Sequence, residues 1–228
     1  MEILGIEKVS FVDFDDKICA TIFTGGCNFL CPFCHNSGIV KRAFKPYDEK
    51  EILDYLQSRT KLLDAVTISG GEPSLQKDLK EFVSKVKKMG YLVKLDTNGT
   101  NPEVVKNLIE KKLIDYVAMD IKNNFDDYSQ ITGVKNPNVE KIKETLNYLT
   151  EKEFPFELRT TLVKQFHTEE NIKKLASDLN GQKKLFLQKF VNNESCFSSN
   201  LDPVPKAEVE KFKDILSETI KNVYLRGY

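Results

Sequence analysis

From Lys17 onward the chain alternates short apolar runs, rich in β-branched residues, with longer stretches whose apolar positions recur every three or four residues. The first pattern predicts buried strands and the second predicts helices with one apolar face. Strands are expected at Ile18–Phe23, Ala65–Ser69, Leu92–Asp96, Tyr116–Asp120, Phe156–Leu162 and Lys184–Phe190. Helices are expected at Asp48–Ser58, Lys77–Met89, Pro102–Lys111, Asn138–Thr150 and Glu169–Leu179, with a last one near Lys206–Thr219. Thr168-Glu-Glu and Asn101-Pro-Glu read as helix starts, and Met89-Gly90 as a helix end. Strict strand–helix alternation marks βα units around a parallel sheet. Six such units fall short of the eight that close a TIM barrel, so the expected architecture is α/β, a partial (β/α)6 TIM-like barrel. No fixed-period repeat or low-complexity linker interrupts it, and Asn192–Pro205 is the only long polar stretch. One domain is expected over residues 1–228, with a core at about 17–190 and a C-terminal helical extension at about 205–228.

Composition fits this reading. With 228 residues, 40% hydrophobic, the chain can bury one substantial core. Its 34 basic and 34 acidic residues cancel, which argues against a general affinity for nucleic acid or an anionic membrane. Met1–Val12 lacks the pattern of a signal peptide, and no apolar run could span a bilayer, so a cytoplasmic location is expected. Five cysteines without a disulfide-like framework suit a reducing compartment, where clustered thiols more often hold metal.

The clustered thiols lie right after the first predicted strand. Thr24-Gly-Gly-Cys-Asn-Phe-Leu-Cys-Pro-Phe-Cys-His-Asn36 spaces Cys27, Cys31 and Cys34 as C-x3-C-x2-C, with Gly25 and Gly26 available for unusual backbone angles and Pro32 to stiffen the turn. Three thiols are one short of a structural zinc site or of a fully protein-ligated [4Fe–4S] cluster. His35 adjoins Cys34, where neighbouring side chains tend to diverge; Cys19 lies within an apolar strand and Cys196 in a distant polar loop. Two readings stay open: a structural zinc completed by His35 or Cys196, and a [4Fe–4S] cluster with one open iron for a substrate or cofactor.

The array, followed by Ser69-Gly-Gly-Glu-Pro73, resembles the signature of the radical S-adenosylmethionine (radical SAM) enzymes, in which SAM chelates the open iron through its amino and carboxylate groups. Cys31-Pro-Phe-Cys-His-Asn36, Leu95-Asp-Thr-Asn-Gly99 and Met119-Asp-Ile-Lys122 narrow the resemblance to the glycyl-radical-enzyme activases, foremost those of anaerobic ribonucleotide reductase, from about Ile6 to about Phe190. The resemblance implies the same partial barrel, of the radical SAM type. In parallel α/β folds chemistry gathers at the carboxyl ends of the strands. The motifs obey this: the cysteine loop follows the first predicted strand, Gly70-Gly-Glu-Pro73 the second, while Asp96 ends the third and Asp120 the fourth.

The resemblance also implies roles for individual residues. Cys27, Cys31 and Cys34 would hold the cluster, and carbonyls of Gly70, Gly71 and Glu72 would accept from the SAM amino group. Phe33 would lie against adenine, Lys122 near the SAM carboxylate, and Asp96 and Asp120 near a monovalent cation and SAM. Arg159, a charge inside a predicted strand, would reach the active site. Each has a plain alternative: a tight turn for the glycines, helix caps for the two aspartates, loop packing for Phe33, a solvated Lys122, and an Arg159 reaching the helix layer. Leu187-Gln-Lys-Phe-Val191 departs from the pyruvate formate-lyase activase, which carries a His after its sixth strand; two readings of Gln188 stay open, a neutral donor and acceptor in its place and an ordinary strand-end residue. His167 reads as a loop residue with a possible substrate contact.

The implied chemistry is reductive cleavage of SAM by one electron, giving methionine and a 5′-deoxyadenosyl radical that abstracts hydrogen in an anaerobic setting. Its partners would be a glycyl radical enzyme and a low-potential electron donor such as flavodoxin or ferredoxin. With no internal insertion large enough for a lid, a protein substrate that brings its own covering loop fits best. The alternatives are a small-molecule radical SAM enzyme, such as a 7-carboxy-7-deazaguanine synthase, and a non-catalytic iron–sulfur or zinc module.

Overall fold

A computed structural model describes residues 1–228. In chain order it contains β1 (Ile3–Ser10), β2 (Cys19–Thr24), α1 (Ser37–Val40), α2 (Glu49–Ser58), β3 (Ala65–Gly70), α3 (Leu79–Lys88), β4 (Leu92–Thr97), α4 (Pro102–Glu110) and β5 (Tyr116–Asp120). The chain continues through α5 (Tyr128–Thr132), α6 (Val139–Glu151), β6 (Phe156–Leu162), α7 (Glu169–Asp178), β7 (Leu185–Lys189), α8 (Lys206–Ser217) and β8 (Val223–Arg226). The strands form one eight-stranded sheet in the order of the chain. Only the β1–β2 pair is antiparallel; every pair from β2 to β8 is parallel. β1 and β8 are its two edges, so the barrel stays open.

The two faces of the strands differ in chemistry. Ile22, Ile68, Leu95, Met119, Leu158 and Leu187 belong to one buried apolar cluster shared with the helices. Alternate positions, among them Thr21, Thr67, Lys94, Asp96, Glu157 and Arg159, put polar groups on the other face, as the two-residue period of a strand demands. Helix starts are locally encoded. Asp48 accepts from the Lys50 N–H, and Thr168 and Asn171 form a reciprocal capping box.

All six expected strands and six expected helices form, with ends displaced by no more than two residues. Two strands were not expected. β1 escapes because Glu7, Lys8 and Val9 are exposed and its pairing with β2 is irregular. β8 is the larger correction, since the expected C-terminal helical extension is a helix followed by a strand on the β7 edge. At four residues β8 is too short for periodicity to reveal it. Its Arg226 Nη1 lies 3.5 Å from a carboxylate oxygen of the buried Glu157. The polar stretch after β7 also folds inward: the Ser198 N–H donates to the Pro32 carbonyl at 2.9 Å, and Cys196 Sγ lies 3.8 Å from the Phe33 carbonyl oxygen.

Candidate active site

The carboxyl ends of the parallel strands surround a cavity of about 400 Å³. Eleven of the residues singled out from the sequence line it: Cys27, Cys31, Phe33 and Cys34 from the loop after β2, Gly70, Gly71 and Glu72 at the end of β3 and after it, Asp96 and Asp120 from β4 and β5, Lys122 just beyond β5, and Arg159 from within β6. Gln188 of β7 lines it too.

The cysteine loop is held by backbone contacts with the loop after β3. The Glu72 N–H donates to the Gly26 carbonyl and the Gly71 N–H to the Thr24 carbonyl, both at 2.9 Å. Side chains add to this, with Asn36 Nδ2 donating to the Gly70 carbonyl at 3.0 Å and Gln76 Nε2 to the Gly25 carbonyl at 2.8 Å. A Cβ on Gly71 would stand 1.9 Å from the Gly26 oxygen. Gly71 is small because two backbones meet there. The Gly70 carbonyl is already engaged by Asn36 and that of Glu72 by the Leu75 N–H at 3.2 Å. Only the Gly71 carbonyl of this trio has no protein donor.

Glu72 gives its side chain to the surrounding loops. Its 1% exposed carboxylate accepts from the Ser74 N–H and Oγ, Thr97 Oγ1 and the Asn98 N–H. Burial pushes its pKa up, against these four donors. The glutamate therefore ties the ends of β3 and β4 together.

Cys31 is buried, Cys27 and Cys34 half-buried. Burial pushes the thiol of Cys27 up to about 11 and that of Cys31 up to about 12, and raises Cys34, while Lys122 opposes all three shifts. Thiolates so disfavoured need a positive partner, and a metal centre supplies one. No three His, Cys, Asp or Glu side chains converge closely enough to hold a single ion. Thiolates on different irons of a cluster stand farther apart than ligands of one ion, so the donor set suits a cluster. The two candidate fourth ligands, His35 and Cys196, have other partners in the fold. His35 Nε2 meets the Val191 carbonyl at 2.6 Å and its ring stacks on Phe190, while Cys196 packs against the Phe33 backbone.

The same cavity is lined by a row of alternating charges. Arg159 Nε bonds Asp120 Oδ1 at 2.8 Å and its Nη1 bonds Asp96 Oδ2 at 3.1 Å, while Lys122 Nζ bonds Asp120 Oδ2 at 2.9 Å. Burial would raise Asp120, but Arg159 and Lys122 hold it down at about 2. Lys94 Nζ approaches the other oxygen of Asp96 at 3.6 Å. The carboxylates expected to serve a monovalent cation are thus neutralised by the chain's own cations, and such an ion gains no support here. Arg159 does not reach the helix layer.

His167 does not line the cavity. It is buried, and its Nδ1 accepts from the Val163 N–H at 3.0 Å. A backbone N–H can only donate, so the ring proton sits on Nε2 and is given to the Lys122 carbonyl at 3.0 Å. The Lys122 N–H donates to Tyr128 Oη at 2.9 Å. The expected substrate contact is corrected to a clamp on the Lys122 peptide; only the side-chain chemistry was visible in the sequence. Phe33 packs edge-on to Phe190, 6.4 Å between ring centres. Asn28, Asn98 and Tyr128 went unread, although Asn98 lay in plain view inside Asp96-Thr-Asn-Gly99.

An open parallel α/β barrel with three thiols at the carboxyl ends of its strands defines a class of metallocofactor enzyme. The chain belongs to the radical SAM superfamily, whose family model matches residues 21–179. It is 36% identical over 231 residues to the "Putative glycyl-radical enzyme activating enzyme MJ1227" of Methanocaldococcus jannaschii, covering 97% of this chain and 94% of that protein. It is 31% identical to the pyruvate formate-lyase-activating enzyme of Listeria monocytogenes, covering 71% of this chain and 70% of that one. A radical SAM methyltransferase from Sphaerobacter thermophilus has a similar fold, with a TM-score of 0.73 at 15% identity over 96% of this chain and 69% of that one.

Two outcomes are expected. Gly71→Ala should lower the free energy of unfolding in urea by about 1–3 kcal/mol, because its methyl group collides with backbone; an unchanged midpoint would show that the two loops separate freely. Burial lowers the pKa of His167 below its ordinary 6.5. The unfolded chain therefore binds the proton first, and stability should fall as pH drops below about 6.5, by at most about 1.4 kcal/mol per pH unit. Unfolding midpoints at pH 7.5 and 5.5 should draw together in His167→Gln.

Proposed function

We propose that the chain reductively cleaves SAM at one [4Fe–4S] cluster and generates a glycyl radical on a partner enzyme, with anaerobic ribonucleotide reductase the favoured partner. The observation that carries the reading is that one cavity is lined both by Cys27, Cys31 and Cys34 and by Asp96, Asp120, Lys122 and Arg159. Membership of the superfamily implies the cluster and SAM. When bound, the cluster supplies one electron that splits SAM into methionine and an adenosyl fragment able to abstract a hydrogen atom.

The chain's own residues bind, orient and exclude water. Cys27, Cys31 and Cys34 would hold the cluster. The Gly71 carbonyl, free of protein donors, suits the SAM ammonium group, and Lys122 offers its charge to the carboxylate. Phe33 presents an aromatic surface for adenine. Arg159 fixes the Asp96 and Asp120 carboxylates, so that neither adds an unbalanced charge to the pocket. Orientation of this kind lowers the entropic barrier to hydrogen transfer.

Two observations support a macromolecular substrate. Relatives across most of the chain are named as glycyl-radical enzyme activating enzymes, and another as a pyruvate formate-lyase-activating enzyme. The longest irregular connection, Phe190–Pro205, folds back on the cysteine loop through Ser198 and Cys196, leaving it unsuited to act as a lid. A partner's loop would then cover the cavity, and a glycine without Cβ enters a narrow mouth most easily. The product, a radical flanked by two amide groups, is more stable than the primary radical that forms it.

Cys27→Ala, Cys31→Ala and Cys34→Ala should each abolish cleavage of SAM by the reconstituted, reduced protein, whereas Cys19→Ala and Cys196→Ala should retain it. Loss of the cluster in either of the last two would overturn the three-ligand assignment. With SAM and anaerobic ribonucleotide reductase, electron paramagnetic resonance should show a glycyl doublet that collapses when the partner's glycine is deuterated at Cα. Absence of that signal, together with SAM-dependent conversion of a small molecule, would move the chain to the small-molecule enzymes.

A further inference from the structure

Asn98 follows β4, is only 5% exposed, and has an orientation that its neighbours dictate. Its backbone N–H is given to Glu72. Its side-chain Oδ1 accepts from the Thr100 backbone N–H at 3.0 Å and from Thr100 Oγ1 at 2.7 Å. A backbone N–H has no acceptor role, so the amide oxygen must face Thr100 and the NH2 must face the other way. One hydrogen of that NH2 goes to Asn28 Oδ1 at 2.8 Å. Asn28 is fixed in turn, since its own Nδ2 donates to Thr100 Oγ1 at 2.8 Å. The second hydrogen of Asn98 is left for Cys27 Sγ, 4.0 Å away.

Cys27 Sγ has three polar neighbours: the Phe29 N–H at 3.3 Å, Asn98 Nδ2 and, at 3.9 Å, Asn28 Oδ1. A thiolate can only accept, so once Cys27 ligates metal the Phe29 and Asn98 donors are the ones that count. Cys34 is approached by the backbone N–H of Asn36. Cys27 alone has a side-chain amide aimed at it, and that amide is already oriented before any metal arrives.

Hydrogen bonds to a ligand sulfur favour the cluster state with more negative charge, which raises the reduction potential. The effect is stronger in a buried site, and a donor already in place needs no reorganisation when the electron enters. We propose that Asn98 is a positioning residue that sets the reduction potential of the cluster through the Cys27 sulfur, making the site easier to reduce by its electron donor. The inference rests on the cluster reading above and extends it to a residue outside the ligand set.

The test is a redox titration of the reconstituted protein followed by electron paramagnetic resonance. Asn98→Ser is the leading variant, because a serine hydroxyl can still accept from the residue-100 N–H in an ST-turn while withdrawing the donor from Cys27. The midpoint should become more negative, so that the ratio of reduced to oxidised cluster at a fixed donor potential falls about three- to tenfold, tenfold being about 59 mV for one electron. Asn98→Ala should behave alike, and Cys19→Ala, whose thiol bonds only Thr67 within the sheet, should leave the midpoint unchanged. An unshifted midpoint in a cluster-bearing Asn98 variant would overturn the proposal, as would an equal shift in Cys19→Ala. If neither Asn98 variant binds a cluster, the unsubstituted protein carrying 15N in its asparagine side-chain amides should show a 15N hyperfine coupling in the reduced state, and its absence would overturn the proposal. Failure of the unsubstituted protein to bind any cluster would instead remove the reading beneath it.

Discussion

Two backbones that run too close for any side chain between them decide where the thiols stand. The Gly26 carbonyl lies against Gly71 and accepts the Glu72 N–H, joining the cysteine loop to the turn after β3. The buried Glu72 carboxylate then holds Ser74, Thr97 and Asn98, and so brings in the end of β4. Three loops from three strands become one body. A cluster held by three ligands depends on such a body, because each thiolate has to keep its place while one iron stays open to exchange.

Charge is managed within the same space. Asp96 and Asp120 face the cavity, and each is paired with Arg159, with Lys122 and Lys94 completing the row. Unpaired, any of these would be costly where solvent reaches them only in part. Paired, they leave the local charge close to balance before cofactor binds, so that an incoming zwitterionic amino-acid group meets oriented partners instead of a net field. His167 and Tyr128 serve the same end from outside the cavity, taking the carbonyl and the N–H of the Lys122 peptide.

Much of this was legible in the residues. Tyr116–Asp120 and Phe156–Leu162 form as strands with the very bounds that their apolar runs suggest, because both are covered on one face by helices. Placing motifs at the carboxyl ends of such strands brought distant residues to one cavity without any coordinates. What stayed hidden depends on long-range partners. β8 is four residues stabilised by an edge that only β7 provides, and β1 has an exposed, charged middle. The function of His167 depends on a carbonyl 45 residues away. Asn98 reads locally as turn chemistry, and its second hydrogen acquires meaning only when Cys27 is folded beside it.

The central claim is that three thiolates leave one iron open for SAM. Electron–nuclear double resonance of the reduced cluster with SAM labelled by 15N at its amino group tests it most directly. The account requires a 15N coupling large enough to mean a direct iron–nitrogen bond, lost on replacement by unlabelled SAM. SAM that binds with no such coupling, beside a cluster carrying four protein ligands, would contradict it.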